Sequence, residues 1–363
     1  MKLKSLHLEN VRRYPTITLT CHPGLNVITG PNGVGKTTLL ESLFILALTK
    51  SYKAKDAHVR QNETLYFKIA GIFNDETRDH RFELLYNDQG KQVKVNEVSY
   101  PRLSDYIGRV ALVMFAPEDL ELIKGSPKGR RRFVDLELSQ RDKSYVQHLN
   151  HYNRVLKERN EWLKTGFQQP RKHEVLGLLT DQLIHYGEKI KDQRARFISQ
   201  LNPLIEEIHK TLAPTDAPLF LEYDAALPDN ALSVFEQKHA AEWQQRTTLL
   251  GIHRDDLVFK SDQGMLIEYA SQGQMRTGVL ALKLALAQWF RRHQNQSPII
   301  LFDDVLSELD SDRQTALLEH LDPQAQVIIT STTLDHLALE HIHYHHIHLQ
   351  DGTIQRSEPH DAV

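Results

Sequence analysis

Near the start of the chain, Gly30-Pro31-Asn32-Gly33-Val34-Gly35-Lys36-Thr37 matches the pattern G-x-x-x-x-G-K-[ST]. An apolar run with Leu25, Val27 and Ile28 precedes it, and a helix-forming stretch from Lys36 to about Leu48 follows. Strand, glycine loop and helix in that order make a phosphate cradle: backbone N–H groups turn inward around the β-phosphate, Lys36 reaches the β- and γ-phosphates, and the Thr37 hydroxyl can ligate Mg²⁺. A loop of this kind implies an α/β fold in which a parallel sheet carries ligands at the carboxyl ends of its strands. By composition alone the pattern occurs in on the order of 1% of chains of this length.

A second segment answers the first. Ile299-Ile300-Leu301-Phe302 reads as a buried strand that ends in Asp303-Asp304. An Asp in that position serves Mg²⁺ opposite Thr37, and Asp304 next to it can orient or deprotonate a water. A third element, Ser271-Gln272-Gly273-Gln274, opens a helix that runs to about His293. Ser271 is an ordinary N-cap residue, and the same helix start also suits a phosphate. Since the chain already has one cradle, a second element of this type implies ATP clamped between two protomers.

With Val305-Leu306-Ser307-Glu308-Leu309-Asp310 added, these motifs resemble the ABC-type heads of SMC-like DNA-repair ATPases, and most closely the RecF family. Asn10 to Tyr14, Phe115 to Leu120, Lys124 to Pro127 running into Arg130-Arg131-Arg132-Phe133, and Gly251 to Asp256 extend the resemblance over nearly the whole chain. The resemblance implies cytoplasmic bacterial recombination mediators that bind ATP and Mg²⁺, dimerise on ATP, hydrolyse it slowly and bind DNA at single-strand gaps. With RecR and RecO they help load RecA, supporting repair, replication recovery and SOS induction. It assigns ATP to Gly30, Pro31, Asn32, Gly33, Val34, Gly35, Lys36 and Thr37, Mg²⁺ to Thr37 and Asp303, and catalysis to Lys36 and Asp304. Ser271, Gln272, Gly273 and Gln274 become a signature acting in trans, and Ser307, Glu308, Leu309 and Asp310 a loop crossing the dimer interface. Against the wider ABC pattern, the signature lacks a second adjacent glycine, Ser331-Thr332 stand where a switch histidine is expected, and the acid is Asp304 in place of Glu. Slow turnover follows.

The expected architecture is an ABC-type head with an antiparallel β subdomain, interrupted by a helical lobe. Residues 1–125 form the first half of the head, 126–245 the lobe and 246–363 the second half. In the lobe, Tyr145, Leu149, Tyr152 and Leu156 on one arm and Leu176, Leu179, Leu183, Tyr186, Ile190 and Phe197 on the other predict an antiparallel hairpin with arms of roughly 40 Å, turning at Thr165 to Pro170. The helical pattern is read as running from about Ser139 to Leu204, with a proline-containing stretch at Pro203, Pro214, Pro218 and Pro228 after it.

Net charge is −3, so affinity for a polyanion has to be local. Lys124, Lys128, Arg130, Arg131 and Arg132 crowd one basic turn, and Arg141, Lys143, Arg154, Lys157 and Arg159 follow on the first arm. On their own these cations read as a solvated face; in a RecF-like head they predict contact with single-stranded and gapped DNA through the phosphates. The chain has 20 histidines, and His341, His343 and His345 are read as one face of an exposed edge strand. Their protonation predicts tighter DNA binding below about pH 6.5.

Cys21 is the single cysteine, which excludes an internal disulfide and fits a reducing cytosol. The N-terminus alternates like a strand and lacks the apolar core of a signal peptide, and apolar runs fall far short of a membrane span. A membrane-transporter ATPase subunit is the rival reading; it places loop and signature closer together and carries the switch histidine. A P-loop kinase or GTPase leaves Ser271 to Gln274 and Ser307 to Asp310 without a role.

Overall fold

The computed structural model describes residues 1–294, 297–339 and 342–360. The chain opens with β1 (Lys2–Val11), β2 (Tyr14–Thr20), β3 (Leu25–Thr29) and α1 (Lys36–Leu48). Next come β4 (Tyr66–Asn74), β5 (Asp79–Asn87), β6 (Gly90–Val95), β7 (Val98–Ser99), α2 (Leu103–Tyr106) and β8 (Leu112–Phe115). A helical stretch follows: α3 (Glu121–Lys124), α4 (Pro127–Arg141), α5 (Lys143–Thr165) and α6 (Lys172–Leu212). Then β9 (Phe220–Asp224), α7 (Ala231–Gln245), β10 (Asp256–Ser261), β11 (Gly264–Met265), α8 (Leu266–Tyr269) and α9 (Gln272–Gln294). The chain closes with β12 (Ile299–Asp303), α10 (Ser311–Glu319), β13 (Val327–Ser331), β14 (Tyr344–Gln350) and β15 (Thr353–His360).

Two compact units result: Met1–Asp119, Glu207–Pro214 and Val279–Val363 form the first, Leu120–Glu206 and Thr215–Gly278 the second. Residues 246–278, read from the sequence with the second half of the head, group with the helices and not with 279–363. Its contacts explain this: β10 pairs with β9, and Asp255 and Asp256 bind arginines of α6 and α4.

The first unit holds two sheets. One is antiparallel, ordered β2-β1-β4-β5-β6-β7; the other is ordered β15-β14-β3-β13-β12-β8, parallel from β14 to β8. Helix α1 packs on strands of both. That position explains why its residues from Thr38 to Leu48 are all buried, with apolar side chains on every side, a pattern no surface helix shows. In the parallel sheet β13 lies between β3 and β12, so β3, which leads into the glycine loop, and β12, which ends in Asp303, run about 10 Å apart and open at the same edge, two strand spacings of about 4.8 Å.

The second unit contains the helical hairpin and the antiparallel sheet β11-β10-β9. The hairpin turns where expected, with a 3-10 turn at Gly166–Gln168. Its second arm is longer than expected: α6 has 41 residues, about 60 Å at 1.5 Å each, and continues through Pro203. Apolar burial on both sides of the proline, at Leu201, Leu204, Ile205 and Ile208, outweighs the one backbone hydrogen bond it removes. Among the described residues no helix is long and apolar enough to cross a membrane.

Candidate functional site

The loop between β3 and α1 tolerates glycine alone at two points. A Cβ at Gly30 (φ +150°) would stand 2.3 Å from the Leu349 carbonyl oxygen, and one at Gly35 (φ +109°) 2.3 Å from the Tyr14 hydroxyl. Tyr14, buried on β2, donates to the Val34 carbonyl at 3.2 Å; burial pushes its pKa up to about 12, so it stays a donor. Arg13 donates to the Gly33 carbonyl. Lys36 folds back over the loop, its Nζ donating to Gly30 O (2.6 Å) and Pro31 O (3.1 Å). Burial lowers the Lys36 pKa, and Asp304 and Asp303 oppose that shift.

Across the sheet edge, Asp303 is 2% exposed. Its Oδ1 accepts from Thr37 Oγ1 at 2.7 Å and Thr330 Oγ1 at 3.2 Å, its Oδ2 from the Tyr52 hydroxyl at 3.0 Å and Lys53 Nζ at 3.1 Å. Lys53 also pairs with Glu118 at 3.1 Å. Burial disfavours the Lys53 charge, yet Asp303 and Glu118 outweigh it and its pKa is raised. Burial and Asp303 likewise hold the Tyr52 phenol protonated. Asp304 adopts φ +57°, a left-handed conformation that is costly for a residue with a side chain and that turns the backbone out of the strand. Its N–H donates to Thr330 Oγ1 at 3.0 Å, and its half-buried carboxylate accepts from Ser307 Oγ at 3.2 Å. The hard oxygens of Thr37 and Asp303 suit Mg²⁺, and Asp303 already attracts a cation, Lys53; these residues fit the ion and would hold it.

Within the first unit the structure therefore brings together Gly30 to Thr37, Asp303, Asp304 and Ser307. Tyr52, Lys53, Glu118 and Thr330 belong to the same site; Lys53 and Asp303 are 250 positions apart. Ser307 and Glu308 sit in a 3-10 turn, Leu306–Glu308, and Asp310 caps α10 through the Arg313 N–H at 2.9 Å. Ser271 to Gln274 lie in the second unit as a reciprocal capping box: Gln274 N–H donates to Ser271 Oγ (3.3 Å) and Ser271 N–H to Gln274 Oε1 (2.9 Å). Ser271 and Gln272 are exposed.

The basic turn is a helix. Pro127 takes its first position after the Gly125-Ser126 break, and Arg130, Arg131 and Arg132 lie in α4. Arg130 forks onto Asp256 (2.7 and 2.8 Å) and donates to Gly125 O, while Arg131 donates to Asp255 O at 2.5 Å. Both guanidinium groups are thus committed inside the second unit, whereas Lys124, Lys128 and Arg132 are exposed. Arg141, Lys143, Arg154 and Lys157 are also exposed, but Arg159 is fully buried, bonded to Glu242 (2.6 Å), Thr248 and Thr180. Arg159 cannot meet a phosphate, because the helical pattern that places Val155 in the core places Arg159 one turn on at the same face. His253 to Asp256 brace the second unit: His253 Nδ1 bonds the Tyr152 hydroxyl at 2.7 Å, and Asp255 binds Arg194.

The histidine strand is not an edge. β14 lies between β15 and β3, and Thr29 Oγ1 bonds both His346 Nε2 (2.8 Å) and His348 Nδ1 (3.1 Å). His341 falls outside the described residues, and His343 precedes the strand. Burial lowers the pKa of His239, His253, His345 and His346, so these four take up a proton at lower pH than a free imidazole does. The expected gain in DNA affinity at low pH shrinks accordingly.

Comparison with known proteins points the same way. The RecF/RecN/SMC N terminal domain family matches residues 2–355. A DNA replication and repair protein RecF of Staphylococcus aureus (strain JH9) is 38% identical over 348 residues, 92% of this chain and 94% of that protein. A solved structure of the recombination mediator protein RecF with ATP, in the RecFOR pathway, superposes with a TM-score of 0.89 at 26% identity, covering 98% of this chain and 97% of that one. An Smc head bound to the C-winged helix domain of ScpA shares the fold, with a TM-score of 0.58 at 15% identity, over 99% of this chain and 98% of that one.

Proposed function

Because the chain belongs to the RecF/RecN/SMC family and is RecF-like over nearly its full length, we propose that it is an ATP-dependent DNA-binding protein of recombinational repair and replication. The observation that carries this reading is the 2.7 Å hydrogen bond between Thr37 and Asp303, which joins the glycine loop to the acid strand. Gly30 to Thr37 bind the ATP phosphates, and Lys36 leaves its two loop carbonyls for them. Thr37 and Asp303 hold Mg²⁺, which when bound supplies charge neutralisation at the phosphates. Asp304, aimed by its left-handed backbone and by Ser307, accepts the proton of the attacking water.

Ser271 to Gln274 and Ser307 to Asp310 complete the site of a second copy, so ATP favours a dimer and hydrolysis releases it. Exposed Lys124, Lys128 and Arg132 contact the DNA backbone, single-stranded or at a gap. RecR and RecO are the partners, in the cytoplasm, with RecA loading and SOS induction downstream. Aspartate is one methylene shorter than glutamate and must approach its water more closely; turnover stays below about 1 s⁻¹, against about 10 s⁻¹ for a median enzyme. The transporter reading loses support because Ser331 ends β13 and Thr332 follows it, where a switch histidine would be needed, and the relatives are repair proteins. The test is ATP added to the Asp304→Asn protein: a dimer that retains gapped DNA is expected, and a monomer indifferent to ATP would refute the reading.

A further inference from the structure

Two loops leave the carboxyl edge of the parallel sheet side by side. One follows β12 and carries Asp304 and Ser307; the other follows β13 and runs through His336 and Ala338. At their roots Thr330 ties them, since its hydroxyl meets both Asp303 Oδ1 and the Asp304 N–H. Further out, the tie is one side chain. Gln314 of α10 is 3% exposed, and its Nε2 donates to Leu306 O (2.9 Å), Leu309 O (3.1 Å) and His336 O (2.8 Å). Its Oε1 accepts from the Ala338 N–H at 2.8 Å. Three carbonyls at one end and an N–H at the other settle which end of the amide is which.

Leu306, Leu337 and Leu339 of the two loops are buried, yet a groove of about 830 Å³ lined by Ser307, Leu309, Leu318 and Leu337 opens alongside Gln314. Four backbone groups of the two loops meet this one amide, and a buried amide with all its hydrogen bonds made has a single low-energy placement. We infer that Gln314 is a positioning residue that clamps the Leu306–Leu309 segment to the loop after β13, so that the two loops shift as one body when nucleotide engages Asp303. Nucleotide contact at the sheet edge is thereby passed to Ser307, Glu308 and Leu309. The consequence for self-association rests on the proposed function, in which that segment meets a second copy; the clamp itself does not.

Hydrogen–deuterium exchange on the full-length protein tests the clamp, with wild type compared to Gln314→Met, which keeps length and loses every hydrogen bond. Exchange is expected to accelerate about tenfold at residues 305–310 and 335–339 together, and to stay unchanged in α1 and β3, the loss of a buried hydrogen-bond set felt locally. Affinity for a fluorescent ATP analogue should hold within about twofold, while kcat and ATP-induced self-association in the Asp304→Asn background each fall about tenfold. Gln314→Glu, which keeps the bond from Ala338 and loses the donors, should loosen 305–310 more than 335–339. Acceleration in one loop only, in neither, or across the whole chain would overturn the inference, as would failure of both variants to fold. If exchange behaves as expected but wild type does not self-associate with ATP, the clamp stands and the proposed function falls.

Discussion

The dipeptide Asp-Asp occurs at 255–256 and again at 303–304, and its two settings differ in what holds the acids. Asp255 and Asp303 are buried alike, at 1% and 2% exposure, and each accepts from a tyrosine hydroxyl and a cation. Around Asp255 the cation is Arg194, itself 2% exposed and shared with Asp135, Tyr145 and the Ile252 carbonyl. Around Asp303 it is Lys53, whose side chain is 23% exposed and whose other partner, Glu118, is 51% exposed. A guanidinium fork spread over four partners has no alternative position, whereas a lysine on a flexible stem can leave one carboxylate for another. The first acid pair is a brace; under the proposed function the second exchanges its cation for a ligand.

Substitutions can break that contrast. The largest effect is expected from Arg194→Met, which strands Asp255 and Asp135 without their cation and should cost about 3–5 kcal/mol, read as a fall in the denaturation midpoint. Asp304→Asn should do the reverse, lowering kcat about a hundredfold or more while the denaturation midpoint and nucleotide binding hold. If Asp304→Asn destabilised the protein as Arg194→Met does, the division into brace and ligand site would be wrong.

A third effect depends on pH. Burial lowers the His253 pKa to about 4, so between that value and the usual 6.5 the unfolded chain binds a proton that the folded chain does not. Stability contributed by neutral His253 is therefore complete above about pH 6.5 and lost as pH falls towards 4, a change on the order of 2–3 kcal/mol. His253→Gln should flatten that part of the stability curve, measured by urea denaturation from pH 4 to 7. An unchanged slope would remove His253 from the brace.

The smallest effect concerns α4. Lys128→Ala should weaken DNA binding several-fold and lower its salt slope by about one, leaving stability within about 0.5 kcal/mol. Arg130→Ala should instead destabilise, since it strips the fork from Asp256. Equal losses of DNA affinity from both would show that Arg130 is not a brace.

Of the site, the parts set by short-range spacing are legible in the order of the residues: Gly30 to Thr37, the strand ending at Asp303, and Ser271 as a helix cap. The start of α4 reads as a turn in the sequence because Gly125, Pro127, Gly129 and the clustered arginines outweigh the helix-start signal of Ser126-Pro127. Tyr52, Lys53 and Thr330 give no such signal, because their partners lie 251, 250 and 27 positions away, beyond any local pattern.

By itself the sequence determined the glycine loop between a strand and a helix, the strand ending in Asp303-Asp304 and the helical hairpin. Each of these depends on backbone geometry and apolar periodicity within a few turns of chain. Only the tertiary structure decided which charges are exposed and which brace. Lys128 and Arg130 stand two residues apart in one helix, yet the second meets an aspartate 126 positions on and the first is exposed. Charge alone cannot separate them, because the energy of a charged group is set by what packs against it and by how much water it retains.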